Sequence, residues 1–469
     1  MKNFYFSFDE DDIKYKKVAI HLKAMINNHE LIHGEKLPTI REYSKLLGVN
    51  TSTIINAYEL LQNEGYAYKK MGSGTYVKKE EQKNYILKEY SNTYKKLTRG
   101  NLENFIDFTG ETTSSEFFPV DTFKKVLNEV LDRDKEDAFI YQDALGYKGL
   151  RKSINKHFWN NKMEIDDILV VSGAQQGIDI ITKAIINVND NVVIEKPSYS
   201  GAMNVFKWRK ANIIEIDMKK DGIQVEELEK ILQKNRIKCF YTMPYFQNPT
   251  GVTYSFEKKK RILELAEIYD FYIIEDDYLS DISYDNRVEF KSLKSMDTKD
   301  RVIYIKSFSK IFLPGIRIGY VIPPQKYSDK IQTFKINTDI TTSSLMQRAL
   351  DIYIRKGLWK QHIKNLNLEY KKRYEFLIKE CNNLLKDKVQ IYDTYGGLSL
   401  FLKIQRKDVN CIKLFEYCKD NNVLITPGML YYLNSDDGMQ YFKIGFSKVD
   451  TKAIHQGLMV INNLLKESE

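Results

Sequence analysis

The chain has 469 residues, of which 43% are hydrophobic, so it is long enough to form two or three domains with sizeable cores. Its net charge of +9 is modest for this length and does not by itself indicate a nucleic-acid-binding protein. No run of about 18 apolar residues is present, which argues against a membrane span.

The four cysteines show no CxxC spacing and no neighbouring histidines, so they predict reduced structural thiols and no metal site. Residues 1–12 are acidic and aromatic, and lack the basic-then-apolar order of a secretion signal. We therefore expect a cytoplasmic protein without membrane or metal partners.

Three helices are predicted near the amino terminus. Apolar residues at helical spacing predict the first over residues 15–28. Thr39 and Glu42 fit a capping box at the start of the second, and Gly48 supplies the left-handed residue that ends it. Asn50 or Thr51 caps a third helix that runs to about residue 63. Two helices joined by a short turn at this spacing are typical of a helix-turn-helix.

Two short strands, over residues 65–70 and 74–77, are predicted next, with a glycine-rich turn that would form a β-wing. The predicted elements together make a winged helix. This segment resembles the GntR family, whose motif order it follows in Leu37-Pro38-Thr39, Arg41, Leu47-Gly48-Val49-Asn50, Thr53-Ile54, Ala57-Tyr58, Leu61, Glu64-Gly65-Tyr66 and Gly72-x-Gly74-Thr75-Tyr76-Val77.

The resemblance implies DNA binding, and residues 13–79 carry 11 basic against 5 acidic side chains. The candidate phosphate or base contacts are Arg41, Lys45, Thr51, Ser52, Thr53, Lys69 and Gly72. For any single lysine the alternative is a solvated surface position. Relatives often begin the third helix with Val-Ser-Arg-x-Thr, whereas Thr51 here replaces the arginine, so the family's sequence preference cannot be carried over.

The winged helix is expected to end at residue 79, and residues 80–104 are charged and polar, which predicts a linker that is partly helical. From residue 105, apolar runs alternate with helical patterns, as in a mostly parallel sheet covered by helices. This pattern predicts a large domain over residues 105–343 and a small carboxyl-terminal domain over residues 344–469. The predicted strands are 168–172, 191–195, 213–216, 239–243, 272–275, 302–305, 318–322, 398–404, 423–426 and 442–446.

The most informative stretch is Ser307–Tyr320. Lys310 follows two small hydroxyl residues, Ser307 and Ser309, and Arg317 comes seven positions after it. A reactive amine beside hydroxyl groups and an arginine is what a pyridoxal phosphate (PLP) site requires. Lys310 would form a Schiff base with the cofactor aldehyde, and the other three residues would bind the phosphate dianion.

Other motifs supply the remaining contacts of such a site. Asp276, at a strand end, would keep the pyridine nitrogen protonated, and Tyr278 and Asn248 would hydrogen-bond the ring oxygen. Tyr199 would place an aromatic face against the ring. Taken singly, each motif has a simpler alternative as a solvated turn.

The phosphate end has a further set of candidates. Gly173, Ala174 and Gln175 follow a predicted strand and open a helix, so their amides favour an anion, although such a motif alone is more often only a helix cap. Tyr141 is a candidate for reaching the phosphate of a neighbouring subunit. The order of all these motifs resembles the class I/II, fold-type I aminotransferases from residue 105 to the end.

A GntR-type winged helix fused to an aminotransferase-like domain resembles the MocR-type transcription regulators. The resemblance implies an α/β fold with large and small aminotransferase-like domains after the winged helix-turn-helix. It also implies a head-to-tail homodimer, a double-stranded DNA operator and a small-molecule effector, which would be PLP, an amine or an amino acid. The alternative is an active aminotransferase with an auxiliary winged helix.

One departure bears on that choice. Amino-acid transaminases place an arginine just before the last strand to grip the substrate α-carboxylate, whereas Lys443 stands in the matching stretch here. Lysine lacks the planar fork that binds a carboxylate through two parallel hydrogen bonds. Lys443 is therefore a candidate effector-carboxylate contact, with a strand-end surface lysine as the alternative. Either interpretation makes efficient amino-acid turnover less expected.

Overall fold

A computed structural model of the chain describes residues 4–8, 13–27, 30–31, 34–63, 66–70, 72–77, 80–98, 105–285, 290–392 and 394–466. The chain divides into two compact units, Met1–Glu103 and Asn104–Glu469. Within the described ranges, none of the helices combines the length and the apolar character that crossing a membrane requires.

The first unit contains the predicted helix-turn-helix and wing. Its elements are α1 (Lys14–Asn27), α2 (Ile40–Leu47), α3 (Thr51–Asn63), β1 (Ala67–Lys70), β2 (Gly74–Val77) and α4 (Glu80–Thr98). Strands β1 and β2 pair antiparallel, with Tyr68 opposite Tyr76. Leu22, Leu47 and Leu61 belong to one buried core shared by the three helices and the hairpin. Helix α4 occupies most of the segment predicted as a partly helical linker.

The capping box predicted at the start of α2 is present. The amide nitrogen of Glu42 donates to Thr39 Oγ1 at 3.3 Å, and the amide nitrogen of Thr39 donates to the Glu42 carboxylate at 3.1 Å. Gly48 ends the helix with φ 64°, a left-handed conformation that suits a residue without a side chain. The side-chain bonds satisfy two amides that the first helical turn otherwise leaves unpaired.

We expect Thr39→Ala to lower the free energy of unfolding of the first unit by about 1 kcal/mol, because the Glu42 amide loses its acceptor. Hydrogen exchange of the α2 amides in the full chain measures this loss. Ser52→Ala, at an exposed position in α3, is the matched control and should leave the exchange rates unchanged. Equal protection of α2 in the two variants would show that the cap contributes nothing.

The second unit begins at Asn104, and its strands form three sheets in the described part of the chain. The strands are β3 (Ile106–Asp107), β4 (Leu169–Val171), β5 (Asn191–Lys196), β6 (Asn212–Lys219), β7 (Gly222–Ile223), β8 (Ile237–Thr242), β9 (Tyr272–Asp277), β10 (Val302–Ser307), β11 (Gly319–Ile322), β12 (Val389–Ile391), β13 (Ser399–Ile404), β14 (Val423–Leu424), β15 (Thr426–Pro427) and β16 (Tyr441–Gly445).

The largest sheet has the order β4-β11-β10-β9-β8-β5-β6-β7. Strands β10, β9, β8, β5 and β6 run parallel to one another, whereas β11 runs antiparallel to both β10 and β4. Strand β4 therefore points the same way as the parallel set. The carboxyl ends of β4, β8, β9 and β10 consequently lie along one edge of the sheet, which is where ligands bind in open α/β folds.

Helices cover this sheet and continue into the carboxyl-terminal part of the chain. They are α5 (Val120–Asp134), α6 (Lys148–Phe158), α7 (Ala174–Ile185), α8 (Ser200–Trp208), α9 (Val225–Lys234), α10 (Phe256–Ile268), α11 (Leu293–Met296), α12 (Gln325–Asp339), α13 (Ser344–Arg355), α14 (Leu358–Leu384), α15 (Cys411–Asp420) and α16 (Thr451–Leu465). The four cysteines are buried, and none of them forms a disulfide.

A second, antiparallel sheet has the order β12-β13-β16-β15. The single strand predicted over residues 423–426 is wrong in one respect, because Ile425 separates β14 from β15 and the two belong to different sheets. Strand β14 pairs with β3, while β15 is the edge strand beside β16. Pro427 in β15 has no amide hydrogen to donate, which suits an edge position.

Candidate cofactor-binding site

A cavity of about 270 Å³ lies at the carboxyl-terminal edge of the parallel strands. It brings together every predicted cofactor contact except Gly173 and Tyr141. Its lining residues are Thr112, Ala174, Gln175, Tyr199, Met243, Asn248, Asp276, Tyr278, Ser307, Ser309, Lys310, Pro314 and Arg317. The sequence motifs that lie far apart along the chain therefore converge on one site.

One end of the cavity suits an anion. Gly173 precedes α7 with φ 90°, and a Cβ atom placed there would lie 2.5 Å from the Arg317 guanidinium, so a larger residue would be strained and would displace Arg317. Arg317 donates to the backbone oxygen of Ser172 at 3.1 Å. The buried hydroxyl of Ser309 has no hydrogen-bond partner among the described residues. A helix amino terminus, an arginine and an available hydroxyl together fit a phosphate group.

The other end of the cavity suits a protonated ring nitrogen. Asp276, in β9, accepts a hydrogen bond from the Tyr241 hydroxyl through Oδ2 at 2.7 Å. Its second oxygen, Oδ1, is buried and lacks a hydrogen-bond partner within the described ranges. Burial raises the pKa of Asp276 to about 7. A nearby N–H cation would favour the carboxylate and satisfy Oδ1, so the residue fits the predicted role.

The aromatic residues of the cavity have partners of their own. Tyr199 is half-buried and its hydroxyl donates to Gln175 Oε1 at 3.1 Å. The hydroxyl of Tyr278 donates to the backbone oxygen of Phe246 at 2.8 Å. The Tyr278 hydroxyl therefore uses its hydrogen within the protein, and its predicted bond to the cofactor ring oxygen stays a prediction.

A carboxylate absent from the sequence prediction contacts two residues that line the cavity. Glu111 Oε2 is 2.9 Å from the Lys310 amine, and its Oε1 is in direct contact with the Lys443 amine. Asn248 Nδ2 lies 3.3 and 3.4 Å from the two carboxylate oxygens, and Asn248 Oδ1 accepts from Lys443 at 3.1 Å. Lys310, Lys443 and Asn248 thus converge on one acidic group.

Lys443 is not a surface lysine at the end of a strand. It lies within β16, between β13 and β15, and its side chain is 1% exposed. Burial lowers the pKa of the Lys443 amine, whereas the adjacent Glu111 carboxylate favours the charged form. The alternative of a surface lysine at the end of a strand is therefore wrong, and Lys443 adjoins the site through its contacts with Asn248 and Glu111.

The predicted DNA contacts lie in the first unit, along α2, at the start of α3 and in the hairpin. Thr53 is half-buried, and the exposed residues are Arg41, Lys45, Thr51, Ser52, Lys69 and Gly72. Arg41 and Lys45 are four positions apart, so they share a helical face. The buried side chains of the same helices, such as Leu47 and Ile54, leave these positions to the solvent.

Residues 113–461 match the family described as aminotransferase class I and II, which is a PLP-dependent family. The chain belongs to the class I and II aminotransferases. Residues 14–77 match the family of bacterial regulatory proteins called gntR, which implies DNA binding by the first unit. The combination of the two families predicted from sequence motifs is therefore confirmed.

Relatives of this aminotransferase-family chain include regulators that it matches along most of their length. The uncharacterized HTH-type transcriptional regulator YcxD of Bacillus subtilis is 27% identical over 96% of this chain and 99% of its own length. The HTH-type transcriptional regulator NorG of Staphylococcus aureus is 27% identical over 84% of this chain and 92% of its own. The crystal structure of Pyrococcus horikoshii kynurenine aminotransferase is 28% identical, covers 80% of this chain and 95% of its own, and superposes with a TM-score of 0.75.

Two of the predicted cofactor contacts do not line the cavity. A Cβ atom at Gly173 would lie against Arg317, which does line it. Tyr141 is 78% exposed and follows the exposed Phe139 and Ile140. Its predicted contact with the phosphate of a neighbouring subunit stays a prediction.

Sequence reasoning missed Glu111, Thr112, Tyr241 and Met243. Tyr241 lies in a buried strand before the Asn248 motif. It follows Phe240 in an apolar run, so the sequence pattern did not indicate a polar role for its hydroxyl. Glu111 follows Gly110 in a short loop without a recognised motif. The only available indication was an acidic residue near the start of the aminotransferase segment, which by itself predicts a surface position.

Proposed function

We propose that the protein is a PLP-dependent, DNA-binding transcription regulator whose aminotransferase-like domain senses PLP, an amine or an amino acid. The observation that carries this proposal is the presence, in one chain, of a gntR-type helix-turn-helix and a cavity that gathers the residues for a PLP site. The regulators YcxD and NorG, which match along most of their length, support it.

In this proposal the residues of the cavity have different roles. Lys310 supplies the amine that holds the cofactor, while Arg317, Ser307, Ser309 and the α7 amino terminus hold its phosphate. When bound, PLP withdraws electrons from the carbon next to an attached nitrogen. Asp276 would hold the proton on the ring nitrogen, and the buried position of its Oδ1 atom excludes water from that contact.

The proposed readout is a change in the equilibrium between two arrangements of paired winged helices. An effector shifts such an equilibrium only if it binds one arrangement better than the other. A homodimer would bind two related half-sites on an operator. We expect that operator near the protein's own gene, and the test is fluorescence anisotropy with that DNA at about 0.1–0.15 M salt. Affinity equal to that for unrelated DNA would contradict the proposal.

We expect Arg41→Ala to weaken operator binding about tenfold and to lower the salt dependence by about one charge, because Arg41 would pair with a phosphate or a base. Lys88→Ala on α4 removes the same charge from an exposed position outside the predicted contacts, and is the matched control. Anisotropy titrations at several salt concentrations measure both effects. Equal losses of operator affinity in the two variants would show that Arg41 has only a general electrostatic role.

An active aminotransferase is the second candidate, and the similarity to a solved kynurenine aminotransferase favours it. The deciding measurement is turnover with an amino donor and a keto acid. Many turnovers per site would establish an enzyme, whereas a single slow half-reaction would fit a sensor. The Glu111–Lys443 contact argues against an active aminotransferase, because Glu111 already pairs with the cation that would bind a substrate carboxylate.

A further inference from the structure

The carboxylate of Glu111 is held beside the cavity by charge and by hydrogen bonds to two residues that line it, Lys310 and Asn248. It contacts the Lys443 amine directly and lies within reach of Asn248 Nδ2. The Glu111 side chain is 19% exposed and that of Lys443 is 1% exposed, so the contact is largely shielded from water. Charges removed from water in this way interact more strongly than a surface pair.

The backbone around Glu111 is held on both sides. The amide of Gly445 donates to Phe108 at 2.6 Å, and the Ser447 hydroxyl donates to the backbone oxygen of Gly110 at 3.1 Å. On the other side, the amide of Thr113 donates to the backbone oxygen of Lys310 at 2.8 Å. The position of Glu111 therefore does not depend on its side-chain contacts alone.

The charges of the site determine which charged groups a bound ligand can carry. Arg317 lies at the phosphate end, and the Lys310 amine would be used by the cofactor. Lys443 already contacts Glu111. A ligand carboxylate beside Asn248 would thus meet a like charge at close range and would compete with Glu111 for Lys443, which costs binding energy. A ligand amine meets an attractive charge at the same place.

We propose that the site takes a primary amine without a carboxylate on the carbon next to nitrogen, and that Glu111 is the residue that excludes α-amino acids. This inference rests on the proposed function, because it names the effector class of the same cavity. Glu111 acts here as a specificity-determining residue through Lys443 and Asn248.

The test compares two stable ligands that differ only in the carboxylate. They are the reduced phosphopyridoxyl adducts of 3-methylbutylamine and of leucine, titrated calorimetrically into the cofactor-free full chain. We expect the wild-type protein to bind the amine adduct at least about tenfold more tightly, because like charges oppose the leucine adduct. Equal affinities, or a preference for the leucine adduct, would overturn the inference.

Glu111→Gln should reverse the preference to the leucine adduct by about tenfold, since Lys443 becomes available to a carboxylate. Glu116→Gln, on the same segment but largely exposed and paired with Arg373, is the matched control and should keep the wild-type preference. An unchanged preference in Glu111→Gln would contradict the assignment.

Removing one partner of a buried ion pair can prevent folding. The double variant Glu111→Gln, Lys443→Gln avoids an unpaired charge, and we expect it to bind the two adducts within about threefold of each other. A retained tenfold preference would place the discrimination elsewhere. Operator binding in the same preparations separates this inference from the proposed function, because loss of specific DNA binding contradicts only the latter.

Discussion

Lys310→Ala protein is expected to lose the visible absorbance of lysine-bound PLP completely and to bind its operator without any response to effector. Lys310 lies in the cavity beside Ser309 and Asp276, and no other lysine lines that cavity in the described part of the chain. Without the amine the cofactor has no covalent attachment, so an effector has nothing to displace. Absorbance spectra and anisotropy titrations of the same preparation measure both losses.

Lys220→Ala is the control for this substitution, because Lys220 is exposed in the turn between β6 and β7. It should keep both the absorbance and the effector response. A Lys310→Ala protein that retains its colour and still responds to effector would show that sensing does not use this amine.

Asp276→Asn is expected to slow the loss of cofactor absorbance after addition of an amine by about 10²-fold or more. A neutral amide cannot hold the proton on the ring nitrogen as a carboxylate does, and preorganised charges of this kind supply effects of that size. Stopped-flow absorbance measures the rate. Because burial raises the pKa of Asp276 to about 7, the comparison is best made at about pH 8, where the wild-type residue is ionised.

Tyr241→Phe provides a graded control for Asp276→Asn. It removes the 2.7 Å hydrogen bond to Asp276 Oδ2 but leaves the carboxylate in place. We expect a smaller loss, of about tenfold, since the lower end of the 1.5–3 kcal/mol that a hydrogen bond to a charged group is worth corresponds to about tenfold and the ring contact through Oδ1 remains. If Asp276→Asn protein lost the cofactor absorbance as fast as the wild type, Asp276 would have no role in the reaction.

The fold and most of the cofactor site could be predicted because their signals are local. Asp276 ends a buried strand, Gly173 joins a strand to a helix, and Lys310 follows a strand by three residues. Each position follows from strand and turn patterns over a few residues, and the parallel topology then brings the strand ends together. The capping box of α2 was predictable for the same reason.

Glu111 could not be predicted because its partners are distant in sequence. It lies 137 residues from Asn248 and 199 from Lys310, and its own segment has no periodic pattern. The burial of Lys443 could not be predicted for a different reason. Alternation along β16 places Phe442 and Ile444 on one face of the strand and Lys443 on the other. That pattern predicts that Lys443 faces the solvent, but both faces of β16 are buried.

The segment Phe108–Thr113 connects the chain at Lys310 with the antiparallel sheet. Its backbone is bonded to Gly445 at one end and to the carbonyl of Lys310 at the other. Two backbone hydrogen bonds therefore connect the chain at Lys310, through this segment, to the antiparallel sheet that contains β16. We expect a shift of the chain at Lys310 to pull on that sheet, which gives a bond change at one amine a direct mechanical route to a distant strand.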